Sequence, residues 1–315
     1  MSKSSIEWTE HTWNPIVGCS IVSPGCTNCY AMKMAARIES MGNQPRYAGT
    51  TRKVNGNAVW TGKLALAPES TLLQPLKRRA PTTYFVNSMG DLFHEDCPDE
   101  WIDRVFAVMA LAPQHTFQVL TKRAKRMRSY LSARKGMGNA QICDAINHIP
   151  APLGNRHGAL EMPLPNVWLG VSTERQQEAD ERIPHLLATP AAVRFISAEP
   201  LLGPINLSQH LEGHEEHGVD MTREVGSRVG ACIGWTPGLD WVIVGGESGH
   251  GARPMDPEWA LSIRDQCDQA GVPFFFKQWG SHVPETRGRY RKVPKSVAGR
   301  LLDGIEHNGM PERAA

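Results

Sequence analysis

The sequence contains no run approaching the ~20 apolar residues that a membrane-spanning helix needs. Its opening residues, MSKSSIEWTEHTW, lack the apolar stretch of a secretory signal. Internal repeats and low-complexity tracts are also missing, which excludes solenoids and biased linkers. Charge of one sign is not in excess: 34 basic and 32 acidic residues leave a net +2, too little to name a partner. What remains is a globular chain expected in the cytoplasm. At 315 residues and 41% hydrophobic content it is long enough for one α/β barrel or two smaller domains.

Cysteine is scarce but unevenly placed. Seven is an odd number, and a reducing compartment disfavours disulfides, so clustered thiols point to metal or redox chemistry. Cys97, Cys143, Cys232 and Cys267 are scattered and read as small buried hydrophobes. Cys19, Cys26 and Cys29 instead share the stretch WNPIVGCSIVSPGCTNCYA (13–31) in a C-x6-C-x2-C pattern. No second triplet exists, so no second cluster is expected.

Six short, nearly continuous apolar runs follow: 83–89, 116–122, 166–173, 193–199, 240–248 and 272–280. Strands buried on both faces read this way. Helix-like segments lie between them. Residues 97–113 offer Asp99 as a cap, 173–189 have the same character, and 256–271 end on Gly271 as a helix should. A further strand just before Cys19 makes seven. The alternation predicts parallel strands with right-handed crossovers, in a partial (β/α)6-type barrel spanning 1–285. Insertions are expected at about 136–165 and 207–239, where Pro, Gly and polar residues break the rhythm, and both suit lids. A basic C-terminal extension, 286–315, completes the chain, its last dozen residues expected to fray. Polar residues close every strand: Asp91, Lys122 and Arg123, Ser172 to Glu174, Glu199, Glu247 and Lys277. In a barrel these form the rim where active sites are built.

Two ligand chemistries suit the three cysteines. A structural zinc site needs a fourth ligand, for which His11, His94 or Cys97 are available. A [4Fe–4S] cluster on three thiolates would instead leave one iron open to an external molecule. Glycines before Cys19 and Cys26 would let backbone amides turn toward the cluster sulfurs. His94, Glu95 and Asp96 resemble a metal site, but consecutive side chains cannot all point one way, and a capped loop is expected there.

The loop from Asn14 to Ala31, NP-x2-GC-x6-C-x2-CYA, resembles the cluster loop of radical S-adenosylmethionine (radical SAM) enzymes. The likeness is greatest to the branch containing spore photoproduct lyase, with its Asn-Pro, Gly-Cys, and cysteine pair followed by an aromatic residue. The whole chain is similar to a phage-encoded group of radical SAM-like proteins with this longer loop. Its landmarks here are SMGDLFHED, VLTKR, WLGVSTE, SAEPLLGPI, VGGESGHGARPM and FFKQWG. Two features depart from the superfamily pattern. The spacing is x6 where x3 is usual. SMGD (88–91) stands where Gly-Gly-Glu normally grips the methionine amino group, and GGE (245–247) comes too late for that role.

The resemblance implies a radical SAM barrel in which Cys19, Cys26 and Cys29 are the catalytic, metal-ligating residues of a [4Fe–4S] cluster. S-adenosyl-L-methionine would be the second cofactor, cleaved to a 5′-deoxyadenosyl radical that removes hydrogen from a substrate. Under that reading Ser88 or Asp91 would take the methionine amino group, and Lys122 or Arg123 its carboxylate. Ser172 and Thr173 would meet the ribose, with Glu199 as a further contact. Glu247, Arg253, Lys277 and Trp279 come late in the chain and are expected at the substrate, with Trp279 stacking a base beside Lys277.

Three basic runs, 76–80, 120–136 and 286–300, read as solvated faces or as phosphate contacts. Together with the resemblance they point to DNA or another nucleic acid as partner, in a host cytoplasm if the gene is phage-borne. The implied reaction is isomerisation of a modified thymine in phage DNA hypermodification. A pyrimidine photoproduct lyase and a tRNA-modifying enzyme are the alternatives. Each would need an electron donor such as flavodoxin or ferredoxin. A zinc-stabilised nucleic-acid-binding protein without catalysis also stays open.

Overall fold

A computed structural model of the chain describes residues 4–134, 139–150, 160–219, 231–285 and 288–312. Seven strands form its main sheet: β1 (His11–Trp13), β2 (Thr83–Val86), β3 (Thr116–Thr121), β4 (Val167–Ser172), β5 (Val193–Ala198), β6 (Trp241–Gly245) and β7 (Phe274–Gln278). They pair in chain order and every pair is parallel. A doubly wound sheet would reverse its order at a switch point, whereas chain order is that of a barrel wall. The sheet curls into a half-barrel, so the expected α/β class and a partial barrel are both seen.

Helices α1 (Tyr30–Met41), α2 (Asp99–Ala110), α3 (Ala124–Ser132), α4 (Ala140–Asn147), α5 (Gln176–Leu187) and α6 (Pro257–Ala270) complete the main elements. The larger core joins the outward residues of the strands, such as Val86, Val119, Leu169 and Val244, to α2, α3, α5 and α6. Asp256 caps α6 by accepting the Glu258 N–H at 3.0 Å, and Gly271 ends it in the left-handed region at φ 67°. Asp99 does not cap α2, whose N-cap is Pro98. Its carboxylate turns instead to Arg126 and Arg134, because two cations offer it more than one helix N–H.

The concave face has two levels. Phe85, Trp168, Phe195, Trp241 and Phe275 point inward and pack with Trp8 into a separate aromatic cluster. The Trp8 ring lies 4.7 Å from Phe85 and 6.2 Å from Trp241. Two or four residues further along three of those strands, the inward positions become Ser172, Ser197 and Lys277. Period-two alternation thus gives a dry floor below and a polar chamber at the C-terminal ends of the strands.

Within the two expected insertions, α4 occupies part of 136–165, and 151–159 lie outside the described residues. The 207–239 stretch contains the short helix Ser208–Leu211 and an antiparallel hairpin, His214–Val219 with Ala231–Thr236; 220–230 lie outside the described residues. Of the last dozen residues, 307–309 do not fray, and 313–315 lie outside the described residues. Phe276 N donates to His307 O at 3.0 Å and Gly309 N to Phe274 O at 2.9 Å, while Trp241 Nε1 reaches Gly309 O at 2.7 Å. β7 is an edge strand whose free backbone groups need partners, and residues 307–309 supply them. Among the described residues, no helix is long and apolar enough to cross a membrane.

Candidate functional site

A cavity of about 410 Å³ opens at the C-terminal ends of the strands, and Cys19, Cys26 and Cys29 all line it. A larger cleft, about 870 Å³, lies on the convex side between α2 and α4, where Asp99 and Asp103 are already paired with Arg134. The smaller cavity is the better candidate because it alone holds the thiols.

The cysteine loop leaves the sheet after β1 and is fastened to four strand ends. At the first, Asn14 Oδ1 accepts from Ser88 Oγ at 3.1 Å and Met89 N at 2.9 Å, and Gly18 N donates to Met89 O at 3.1 Å. At the second, Arg123 donates to Cys19 Sγ at 3.4 Å, to Ser20 O at 3.1 Å and to Ser20 Oγ at 2.7 Å. Asp91 holds that guanidinium at 3.1 Å. At the third, Ser23 Oγ donates to Glu174 Oε1 at 2.7 Å, and the same carboxylate meets Lys122 and, at 3.0 Å, Arg182. A Cβ on Gly25 would overlap that carboxylate, so a larger residue there would have to displace Glu174 from its ion pairs. At the fourth, Glu247 accepts from Asn28 Nδ2 at 2.9 Å and from Arg253 Nη2 at 2.6 Å, and Arg253 reaches Pro24 O at 3.0 Å.

Electrostatics follow from this burial. Desolvation pushes the Cys19 thiol up to about 12, against the pull of Arg123. Cys29 is raised as well, chiefly by burial, with Cys26 pushing further. Burial alone would raise Glu174 and Glu247. Lys122 and Arg182 for the first, and Arg253 for the second, hold both below the ordinary carboxylate value. His94 is buried; its Nδ1 accepts from Asp96 N at 3.1 Å, and its Nε2 meets Ser20 Oγ at 2.8 Å. Burial first, then Arg123, lowers its pKa. The 94–96 stretch is thus a capped loop, as expected, and it braces the cysteine loop.

The expected site residues divide into two groups. Ser88, Asp91, Lys122, Arg123, Ser172, Glu199, Glu247 and Lys277 all line the cavity. Thr173, Arg253 and Trp279 do not. Thr173 is fully buried, and Trp279 packs into the helix-side core with its Nε1 donating to Leu301 O at 2.8 Å. A stacking role for Trp279 therefore gives way to a core role: β7 ends at Gln278, and the Trp279 ring turns back to 5.0 Å from Phe276. Glu247 and Arg253 are not remote from the cysteines: they clasp the loop that carries them.

Asp91 is filled by the Thr121 hydroxyl at 2.6 Å, Lys122 N at 3.0 Å, Phe93 N at 3.0 Å and Arg123. It therefore has no vacancy for a ligand ammonium. Arg182, Ser23 and Asn28 were not singled out from the sequence, and Glu174 and Asn14 were named there only as a polar strand end and as part of the Asn-Pro motif, with no role assigned. Their signal is a polar residue directly beside a strand end or a cysteine, which gains meaning only when its distant partner is known.

Among the described residues, no three His, Cys, Asp or Glu side chains gather closely enough to hold one metal ion. Around one tetrahedral zinc, ligand sulfurs lie about 3.8 Å apart. A multi-iron cluster is a wider body and takes a more open set of thiols. No curated protein and no solved structure matches the chain. The model of one family covers residues 3–311, and the chain belongs to it: the family described as "Protein of unknown function (DUF5131)".

Proposed function

We propose that the chain is a radical SAM enzyme acting on a nucleic-acid base, with a [4Fe–4S] cluster on Cys19, Cys26 and Cys29. One observation carries this reading: three free thiols from a single loop line one cavity, while Cys97, the further cysteine considered as a fourth ligand, is buried beside Pro98 O and lies outside it. A three-thiol set leaves a coordination position for a small molecule, which a closed structural site does not. The donor chemistry fits, since Cys19 and Cys29, whose thiols burial holds protonated, become good ligands once a cationic iron core replaces the proton. When bound, the cluster and S-adenosylmethionine supply a reductively generated carbon radical that abstracts hydrogen.

The chain's own residues position and insulate. Arg123 hydrogen-bonds the Cys19 sulfur, a contact that tunes a bound cluster. Ser172 and Ser197 present hydroxyls suited to ribose, and the aromatic floor keeps bulk water from the chamber. Exposed cations at Lys125 and Arg128, and at Arg289, Arg291 and Lys292, support a polyanionic substrate. The reaction favoured is isomerisation of a modified thymine in phage DNA, in the cytoplasm and with reduced flavodoxin or ferredoxin as electron source. Photoproduct lysis and tRNA modification use the same apparatus.

The test is anaerobic purification with iron, sulfide and zinc analysis, then dithionite and S-adenosylmethionine with assay of 5′-deoxyadenosine. About four irons per chain with deoxyadenosine released, both lost in Cys26→Ala, is the expected result. One zinc with no iron and intact S-adenosylmethionine would turn the reading to a zinc-stabilised nucleic-acid-binding protein.

A further inference from the structure

Six ion pairs among the described residues have a member in the cavity wall. Three of them fasten the cysteine loop: Arg123–Asp91, Lys122–Glu174 and Arg253–Glu247. A fourth, Arg123–Glu95 at 3.3 Å, rests on the same guanidinium. A fifth, Lys295–Glu7 at 2.8 Å, ties the segment after β7 to the N-terminal segment. The sixth, Lys277–Glu199, bonds to no residue of the loop. Lys277 Nζ lies 3.1 Å from Glu199 Oε1 and 3.2 Å from Oε2, and Ser197 Oγ donates to Oε2 at 3.1 Å. The Oε1 oxygen has no donor aligned on it. An ammonium carries three donors and a carboxylate about four acceptor positions, so both groups keep capacity for a ligand.

The pair spans three strands. Glu199 follows β5 and Lys277 lies in β7, with β6 between them. Gly245 of β6 stays bare beneath: a Cβ there would overlap Glu199 Oε1. Both side chains are mostly buried, at 17% and 13% exposure, yet both line the cavity. A positive and a negative group therefore stand side by side on a chamber wall, desolvated enough to bind strongly.

We propose that Lys277 and Glu199 form a subsite for a zwitterionic α-amino-acid group. In such a group one carbon carries both an ammonium and a carboxylate, so its charges match the pair with signs exchanged. The ligand ammonium goes to Glu199 and the ligand carboxylate to Lys277, and Ser197 keeps the carboxylate of Glu199 in place. The group is carried either by the substrate or by the methionine end of the cofactor. This deepens the function proposed above, since it takes the cavity to be the reaction chamber.

The test is titration calorimetry on the full chain purified anaerobically, with metal content measured alongside. The probes are methionine, S-adenosylmethionine and methylthioadenosine, which has the nucleoside without the amino-acid group. Lys277→Gln and Glu199→Gln should each weaken the zwitterionic probes at least about tenfold and leave methylthioadenosine nearly unchanged. The exchanged pair, Lys277→Glu with Glu199→Lys, should recover part of the loss, because opposite charges still stand side by side.

Equal affinity for methionine and S-adenosylmethionine assigns the subsite to the substrate; a large preference for S-adenosylmethionine assigns it to the cofactor. Zwitterion binding that survives both single substitutions, or is absent from the unaltered chain, overturns the proposal. A zinc-containing chain showing the same losses would overturn the radical reading and leave the subsite standing.

Discussion

Glu174 has no exposed side-chain surface, and a carboxylate is tolerated there only because Lys122, Arg182 and Ser23 meet it. It ties the cysteine loop to β4, so its loss should be felt at the thiols. Glu174→Gln keeps the shape and removes the charge. We expect it to cost roughly 3 kcal/mol, read as a lower urea midpoint at neutral pH, together with reduced iron retention. The sign in pH follows from the lowered carboxyl. Its contribution is full above the ordinary glutamate value and is lost as pH falls through the lower, folded one. The acid limb of stability should therefore be flatter in Glu174→Gln than in the parent, and equal slopes would remove this role. The sequence shows Glu174 only as one polar residue after a strand. Its importance comes from Lys122, 52 residues away, which no local pattern pairs with it.

At the scale of elements, the strands were legible because each is a short apolar run buried on both faces. The helices were legible from their spacing and from end signals such as Asp256 and Gly271. The C-terminal segment was not, because residues 304–312 are polar and look like a tail. The order of the segment from residue 301 on comes from the free edge of β7 and from two tryptophan N–H groups that need acceptors, Trp279 donating to Leu301 O and Trp241 to Gly309 O. Truncation after Gly299 removes both acceptors and uncovers the edge. We expect a loss of about 4 kcal/mol, since each orphaned donor costs about 1–3, seen in urea denaturation. Self-association through β7 should accompany it in sedimentation. A truncated chain as stable as the parent would show the segment to be dispensable.

For the whole molecule, the basic runs prove to be of two kinds. In 120–136, Lys122, Arg123, Arg126 and Arg134 turn into ion pairs, while Lys125 and Arg128 stay exposed. Arg289, Arg291 and Lys292 are exposed in the C-terminal run, Arg291 with a surface pair to Glu285 at 3.1 Å. If these three contact phosphates, replacing all of them with serine should reduce the slope of log K against log salt for duplex DNA by about 2.7, at roughly 0.9 per phosphate contact. An unchanged slope would place the nucleic-acid face elsewhere. The net charge of +2 could not make this distinction, because it counts paired and free cations alike.

The sequence by itself determined the alternation of strands and helices, the grouping of three cysteines on one loop and the polar close of every strand. Each is set within a few residues, where periodicity and turn chemistry act. Tertiary structure decided which of the polar residues around the cavity are taken up in holding the loop and which keep capacity for a ligand. Arg123, Lys122, Glu247 and Arg253 became fastenings, Trp279 went to the core, and Lys277 with Glu199 remained on the chamber wall. The reason is physical: a charged group in a low-dielectric interior takes whatever opposite charge the fold brings near, and that partner lies on another strand.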